Sequence, residues 1–135
     1  MISQALAAAR ARITRYTPAE AAAADALIID LRSHDERHRT GVIPGSVHVP
    51  RSVLEWRCDP ASGAANPVVA EPERPLILVC AEGYSSSLAA ADLLELGVRG
   101  VGDLEGGYDA WAAAGLPTIE APPVEPGLPG MGGPC

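Results

Sequence analysis

The sequence predicts an α/β fold with a mostly parallel central sheet, and three observations carry that prediction. Two apolar runs, residues 26–31 and 76–79, lack inside-outside alternation, as strands do when helices cover both faces. Alanine- and leucine-rich segments with helical spacing, the longest over 86–96, are closed by glycine or proline. Strands then alternate with helices along the chain, the order that a parallel sheet with crossover helices requires. A single domain accounts for 135 residues and has room for a real core.

Taken in order, residues 1–16 read as a helical extension. Leu6 and Ile13 fall seven residues apart on one face with Arg10 beside them on the surface, and packing alone is expected of this segment. The main domain, residues 17–117, opens with Thr17-Pro18-Ala19-Glu20: Thr17 caps a helix, Pro18 takes its first position, and Glu20 closes a capping box. The strand over 26–31 follows, then a polar stretch to Thr40 and turn chemistry at Pro44-Gly45. A short strand over 47–49 stops at Pro50, a short helix over 51–56 is capped by Ser52, and residues 58–73 form a loop. The central strand over 76–79 delivers Cys80 into Ala81-Glu82-Gly83-Tyr84, and the helix over 86–96 ends at Gly97. Ser85, Ser86 and Ser87 offer capping hydroxyls for that helix. A last strand over 98–103, the segment Leu104-Glu105-Gly106-Gly107 and a closing helix over 108–114 complete the domain; 118–135 reads as a flexible Pro/Gly-rich tail.

Composition excludes several functions. A formal net charge of −7 with no basic run argues against nucleic-acid binding, and no stretch approaches the roughly 20 apolar residues of a membrane span. The sequence contains no Lys, so every fixed side-chain cation is an Arg, and an anionic substrate would have to be drawn locally against the overall charge. Cys58, Cys80 and Cys135 form neither a disulfide framework nor paired metal-ligand spacing, and no secretory signal pattern opens the chain. A cytoplasmic, soluble protein without metal or organic cofactor is the expectation.

Cys80 is the candidate nucleophile. A cysteine at the mouth of a helix faces unpaired N–H groups and the positive end of the helix dipole, which favour its thiolate. Asp30, the segment after His48, Cys80 and Asp103 each follow the apolar part of a strand. A parallel sheet therefore gathers them at its carboxyl edge, where open α/β sheets bind ligands. Other chemistry-bearing residues have ordinary roles. His34 and His38, four apart, are expected to be solvated rather than to ligate a metal, and His48 to be a satisfied structural histidine. Trp56 and Trp111 are expected to pack, and Cys135 offers only a remote resolving thiol.

Four motifs in order carry a family resemblance. Asp30-Leu31-Arg32-Ser33, then Gly41-Val42-Ile43-Pro44-Gly45-Ser46, then Cys80-Ala81-Glu82-Gly83-Tyr84-Ser85-Ser86, and finally Leu104-Glu105-Gly106-Gly107-Tyr108-Asp109-Ala110-Trp111 with Gly115-Leu116-Pro117 resemble the signature blocks of single-domain rhodanese-like sulfurtransferases. The resemblance implies a three-layer fold with a sheet of about five strands. It also implies a Cys80 that takes sulfane sulfur from a donor such as thiosulfate, becomes a persulfide and passes the sulfur to a thiophilic acceptor. Ala81, Glu82, Gly83, Tyr84, Ser85 and Ser86 would surround the substrate, with Asp30 and Arg32 paired beneath. Ser85 stands where thiosulfate-using members commonly carry Arg, and Glu82 adds a negative charge. Arg51 and Arg57 are the candidates to restore cationic character. The alternatives are a non-catalytic rhodanese-fold binding or redox-sensing module and, from related folds, a cysteine-dependent phosphatase or arsenate reductase.

Overall fold

The computed structural model describes residues 1–123. The elements are α1 (Ile2–Arg12), β1 (Thr14–Tyr16), α2 (Pro18–Ala23), β2 (Leu27–Asp30), α3 (His34–Thr40) and β3 (Val47–His48). A 3₁₀ turn (Arg51–Val53) then leads into α4 (Leu54–Cys58), followed by α5 (Pro67–Ala70), β4 (Leu76–Val79), α6 (Ser85–Glu95), β5 (Val101–Leu104) and α7 (Gly107–Ala113). Among the described residues the strands form one five-stranded sheet, in the order β1-β5-β4-β2-β3, with every neighbouring pair parallel.

The central strand shows why the molecule has three layers. Leu76, Ile77, Leu78 and Val79 are at most 1% exposed, so each contributes the roughly 1.5–3 kcal/mol of a fully buried aliphatic side chain. Their side chains alternate between two cores. Leu76 and Leu78 join Ile29, Leu54, Val69 and Leu93 on one face. Ile77 and Val79 join Ile43, Leu104, Tyr108 and Trp111 on the other. Trp111 Nε1 also donates to the Pro117 carbonyl at 2.8 Å, which ties the end of the domain to the second core.

Sheet order fixes where a ligand can bind. From β2 the chain moves outward to β3, then returns to β4 and moves the other way to β5. The switch point therefore lies between β2 and β4, and a crevice opens beyond their carboxyl ends. Leu31 follows one strand there and Cys80 the other.

Several elements differ from the sequence-based expectation. Thr14–Tyr16, assigned to a helical extension, is the edge strand of the sheet and pairs with β5 in register Thr14 to Gly102. The polar stretch after Arg32 is a helix, because Ser33 and Glu36 close a capping box like the one at Thr17 and Glu20. Residues 58–73 contain α5, with Asn66 capping at Val68 N and Pro67 at the first position. Pro50 and Val53, rather than Ser52, occupy the cap positions before the 3₁₀ turn and α4. Gly97 and Gly100, both with positive φ, turn the chain before β5, so the strand begins at Val101 rather than Val98. The segment from residue 124, including Cys135 and most of the expected flexible tail, lies outside the described residues. Among those described, no helix is long and apolar enough to cross a membrane.

Candidate active site

The geometry is built from the orientation of peptide planes. Cys80 follows β4 directly, and the chain from Ala81 to Tyr84 curls over its sulfur before α6 begins at Ser85. The amides point inward: Gly83 N–H donates to Cys80 Sγ at 3.2 Å and Ser86 N–H at 3.4 Å. The carbonyls point outward and are held elsewhere. Tyr108 N–H donates to the Cys80 carbonyl at 2.9 Å, and Asp109 N–H to the Ala81 carbonyl at 3.0 Å. The Gly83 carbonyl accepts from Arg10 Nη2 at 2.8 Å and Arg15 Nη2 at 3.0 Å. The loop is thus a small anion cradle fixed from behind.

Two glycines permit this packing. Gly83 sits at φ +84°, and a Cβ there would meet the Gly106 amide nitrogen at 2.7 Å. Gly107, in the first turn of α7, faces the Cys80 carbonyl so closely that a Cβ would lie 2.5 Å from its oxygen. Without those side chains, α7 presents its amides directly to the loop.

Cys80 is 7% exposed. Burial by itself raises the pKa of its thiol. Contacts of the sulfur with the Ser86 and Ser85 side chains, and hydrogen bonds from the Ser86 and Gly83 amides, outweigh that, leaving Cys80 more acidic than an ordinary cysteine. Cys58 is the counter-example: buried in the first core with Glu55 nearby and no such donors, its thiol is pushed up to about 12.

Behind the sulfur lies a polar network that the capping reading of the serines missed. Tyr84 occupies the cap position of α6 and makes no side-chain cap bond, while the Ser86 and Ser87 hydroxyls turn inward. Ser86 Oγ lies 3.3 Å from Cys80 Sγ and donates to Asp103 Oδ2 at 2.8 Å. Ser87 Oγ donates to the same oxygen at 2.7 Å. Asp103, fully buried on β5, is also paired with Arg15 at 2.9 Å. Sequence spacing gives no hint of Arg15, whose contacts span 68 to 88 residues.

The opposite wall comes from β2 and α3. Asp30 receives Arg32 at 2.9 Å and Arg37 at 3.2 Å, so this buried cluster carries one net positive charge. The expected Asp30–Arg32 pair is present, with Arg37 as an unexpected third member. Arg32 further donates to Thr40 Oγ1 and the Gly41 carbonyl at 2.8 Å each, and its guanidinium lies 3.8 Å from the centroid of the Tyr108 ring. His48 is buried beside it, with Nε2 donating to the Arg32 carbonyl at 2.7 Å. Burial and the nearby Arg37 depress His48 to about 4, so it is a neutral structural residue.

An open cleft of about 300 Å³ lies between the walls. It is lined by Leu31, Arg32 and Glu36 on one side and by Cys80 with Ala81, Glu82, Tyr84 and Ser85 on the other. Gly83 and Ser86 sit behind that surface, both buried. Arg51 and Arg57 are not brought to the cleft. Arg51 pairs with Glu55 and Asp92 at 2.8 and 2.7 Å, and Arg57 is buried against the Ala64 carbonyl. The 3₁₀ turn carries Arg51 to Glu55 and to Asp92 on α6, and α4 carries Arg57 to the Ala64 carbonyl. His34 packs edge-on against His48 with ring centroids 4.7 Å apart, while His38 is exposed. Among the described residues no group of three His, Cys, Asp or Glu side chains gathers to hold a metal. Trp56, expected to pack, is 55% exposed on α4.

Comparison with known proteins gives the family of the chain. Thiosulfate sulfurtransferase GlpE of Pseudoalteromonas translucida is 33% identical over 96 residues, covering 71% of this chain and 82% of that protein. A shorter match, 51% identical over 43 residues, covers 32% of this chain and 36% of thiosulfate sulfurtransferase 16, chloroplastic, of Arabidopsis thaliana. Among solved structures, RPA3614 of Rhodopseudomonas palustris, described as a protein of unknown function and possible tyrosine phosphatase, has a TM-score of 0.82 at 36% identity, covering 88% of this chain and 94% of that one. The polysulfide-sulfur transferase homodimer of Wolinella succinogenes has a TM-score of 0.64 at 28% identity, covering 88% and 86%. A family model for the rhodanese-like domain matches residues 16–114, the stretch that holds all five strands except the first two residues of β1, and the chain belongs to that sulfurtransferase family.

Proposed function

We propose that the protein is a sulfurtransferase in which the Cys80 thiolate attacks the sulfane sulfur of a donor. The S–S bond of the donor breaks as a Cys80–sulfur bond forms, and the donor leaves as a thiolate, or as sulfite when the donor is thiosulfate. A thiolate acceptor then attacks the terminal sulfur of the persulfide and regenerates Cys80. Both steps are sulfur-to-sulfur displacements, so no outside oxidant or reductant is needed. The observation that carries this reading is the acidic Cys80 sulfur at the cleft floor, with the Gly83 and Ser86 amides directed at it. The same amides would hold the anionic persulfide.

The cleft also favours one donor class. Arg32 is committed to Asp30, Thr40 and Gly41, and the loop has Ser85 where a guanidinium would bind a sulfonate bidentately. Glu36 and Glu82 stand at the mouth. A low-molecular-weight persulfide, with one charge on its terminal sulfur, suits this mouth better than the thiosulfate dianion. Polysulfide is the donor in the name of the Wolinella protein, and thiosulfate in that of the GlpE relative.

Intact-protein mass spectrometry after exposure to thiosulfate, and separately to a low-molecular-weight persulfide, tests the proposal. We expect one added sulfur atom, absent in Cys80→Ser and released by a thiol, with faster loading from the persulfide. Loading by neither donor would remove the sulfurtransferase reading in favour of a binding or redox-sensing module. The phosphatase suggested by the description of RPA3614 would appear as Cys80-dependent hydrolysis of an aryl phosphate, which the loop disfavours because it lacks a guanidinium to clamp the phosphoryl group.

A further inference from the structure

The helix expected only to pack reaches the candidate site. α1 lies along α6, and the pair is pinned at the surface by Arg12 and Glu95 at 3.0 Å. From the last turn of α1, Arg10 donates through Nη2 to the Gly83 carbonyl at 2.8 Å and through Nε to Ser87 Oγ at 3.1 Å. Its guanidinium also lies 5.5 Å from the centroid of the Tyr84 ring. One side chain thus touches the loop before α6 and the first turn of α6. Arg15, on β1, adds a second donor to the Gly83 carbonyl and joins it to Asp103. Both arginines lie outside the span matched by the family model.

Gly83 is the residue whose orientation matters most. Its φ of +84° is a conformation that only glycine adopts without strain, and its N–H is one of two amides on the Cys80 sulfur. A lone glycine is also free to leave that conformation. Two charged donors on its carbonyl remove the freedom, since each charge-assisted bond is about twice as strong as a neutral one. Building on the sulfurtransferase reading, we propose that Arg10, together with Arg15, is a positioning residue for Cys80: the N-terminal helix supplies, from behind the loop, cationic support of the kind a loop guanidinium would otherwise give. Neither arginine touches substrate. The charged and titratable groups that face the sulfur and its loop are Asp103 from β5, Arg10 and Arg15 from the N-terminal segment, and Arg32 and Glu36 across the cleft, with Glu82 and Tyr84 on the loop itself.

The test is the pH dependence of Cys80 alkylation by iodoacetamide, followed by mass spectrometry in a Cys135→Ser background of the full chain. Cys58, 1% exposed in the first core, is shielded from the reagent, and peptide mapping separates it from Cys80. Arg10→Ala is expected to move the midpoint upward by about 0.5–1 pH unit, a three- to tenfold loss of thiolate below the midpoint. Arg10→Lys, which keeps the charge and one donor, is expected to recover at least half of that shift. A folded Arg10→Ala whose midpoint stays within about 0.2 unit of the parent would overturn the proposal, and so would a shift that Arg10→Lys fails to reduce. If Arg10→Ala does not fold, Arg10→Gln against Arg10→Lys compares a neutral with a charged donor at this position. Alkylation needs no sulfur donor, so a protein that never accepts sulfur would refute the proposed activity while leaving this result readable.

Discussion

Replacing Asp103 by Asn separates what the buried network does for stability from what it does for the cysteine. Four donor contacts converge on the carboxylate: Arg15 Nε on Oδ1 at 2.9 Å, with Arg15 Nη2 at 3.3 Å, Ser86 Oγ at 2.8 Å and Ser87 Oγ at 2.7 Å on Oδ2. Asparagine offers one carbonyl oxygen and turns an NH₂ toward the rest. With the oxygen toward Arg15 Nε, the NH₂ donates to the two serine hydroxyls and opposes Arg15 Nη2. Removing one partner of a fully buried ion pair costs about 3–5 kcal/mol. Arg15 keeps 20% of its side chain exposed and regains some water, which places the expected loss at about 2–4 kcal/mol. At a urea m-value of about 2 kcal/mol per M, the unfolding midpoint falls by about 1–2 M. The thiol should respond differently. Relieved of Asp103, the Ser86 proton is free to donate to Cys80 Sγ, so alkylation at low pH is retained or increased while stability drops. The double variant Arg15→Gln/Asp103→Asn should cost clearly less than the sum of the single changes. An Asp103→Asn protein within about 0.5 kcal/mol of wild type, or additive single changes, would refute this account.

Two further outcomes follow from the geometry. Gly83→Ala forces a side chain into φ +84° with its Cβ 2.7 Å from the Gly106 nitrogen, and is expected to cost at least about 2 kcal/mol in thermal or urea unfolding and to abolish sulfur loading of Cys80 by mass spectrometry. His48, depressed from 6.5 to about 4 in the folded state, binds its proton more readily when unfolded. Stability should therefore fall as pH drops from about 6.5 toward 4, with a slope of at most about 1.4 kcal/mol per pH unit from this residue. Urea titrations across that range should be flatter for His48→Gln than for wild type, and equal slopes would argue against a buried neutral histidine.

How much of this could be read from the sequence depends on whether the signal was local. The runs at 76–79 and 26–31 announce strands buried on both faces, and Cys80 before a glycine and an alanine-rich helix announces the loop, because each signal lies within a dozen residues. The capping box at Thr17 was legible for the same reason. Ser33-x-x-Glu36 carries the same signature and identifies α3, although the charged residues around it read as solvated coil. β1 was hidden because Thr14-Arg15-Tyr16 has no apolar run; its place is set by pairing with β5, nearly ninety residues away. Distance in sequence likewise concealed Arg10, Arg15 and the inward turn of Ser86 and Ser87 onto Asp103. Arg51 and Arg57 erred the other way. Sequence places them near a strand end, but does not show that their guanidiniums turn to Glu55, Asp92 and the Ala64 carbonyl.

Main-chain carbonyls of the Cys80 loop are tethered to α7, Arg10 and Arg15, while the side chains of Ala81, Glu82 and Ser85 face the cleft. Scaffold and recognition surface are therefore written in different atoms of the same few residues. The identities at 81 and 82 are open to exchange without dismantling the cradle, much as the bits of a tool are changed in one chuck. Swapping Glu82 for a neutral or basic residue would alter which sulfur compound enters while leaving the nucleophile as it is. Such a loop makes donor preference the easiest property of this fold to change, and the main-chain cradle around its cysteine one of the hardest.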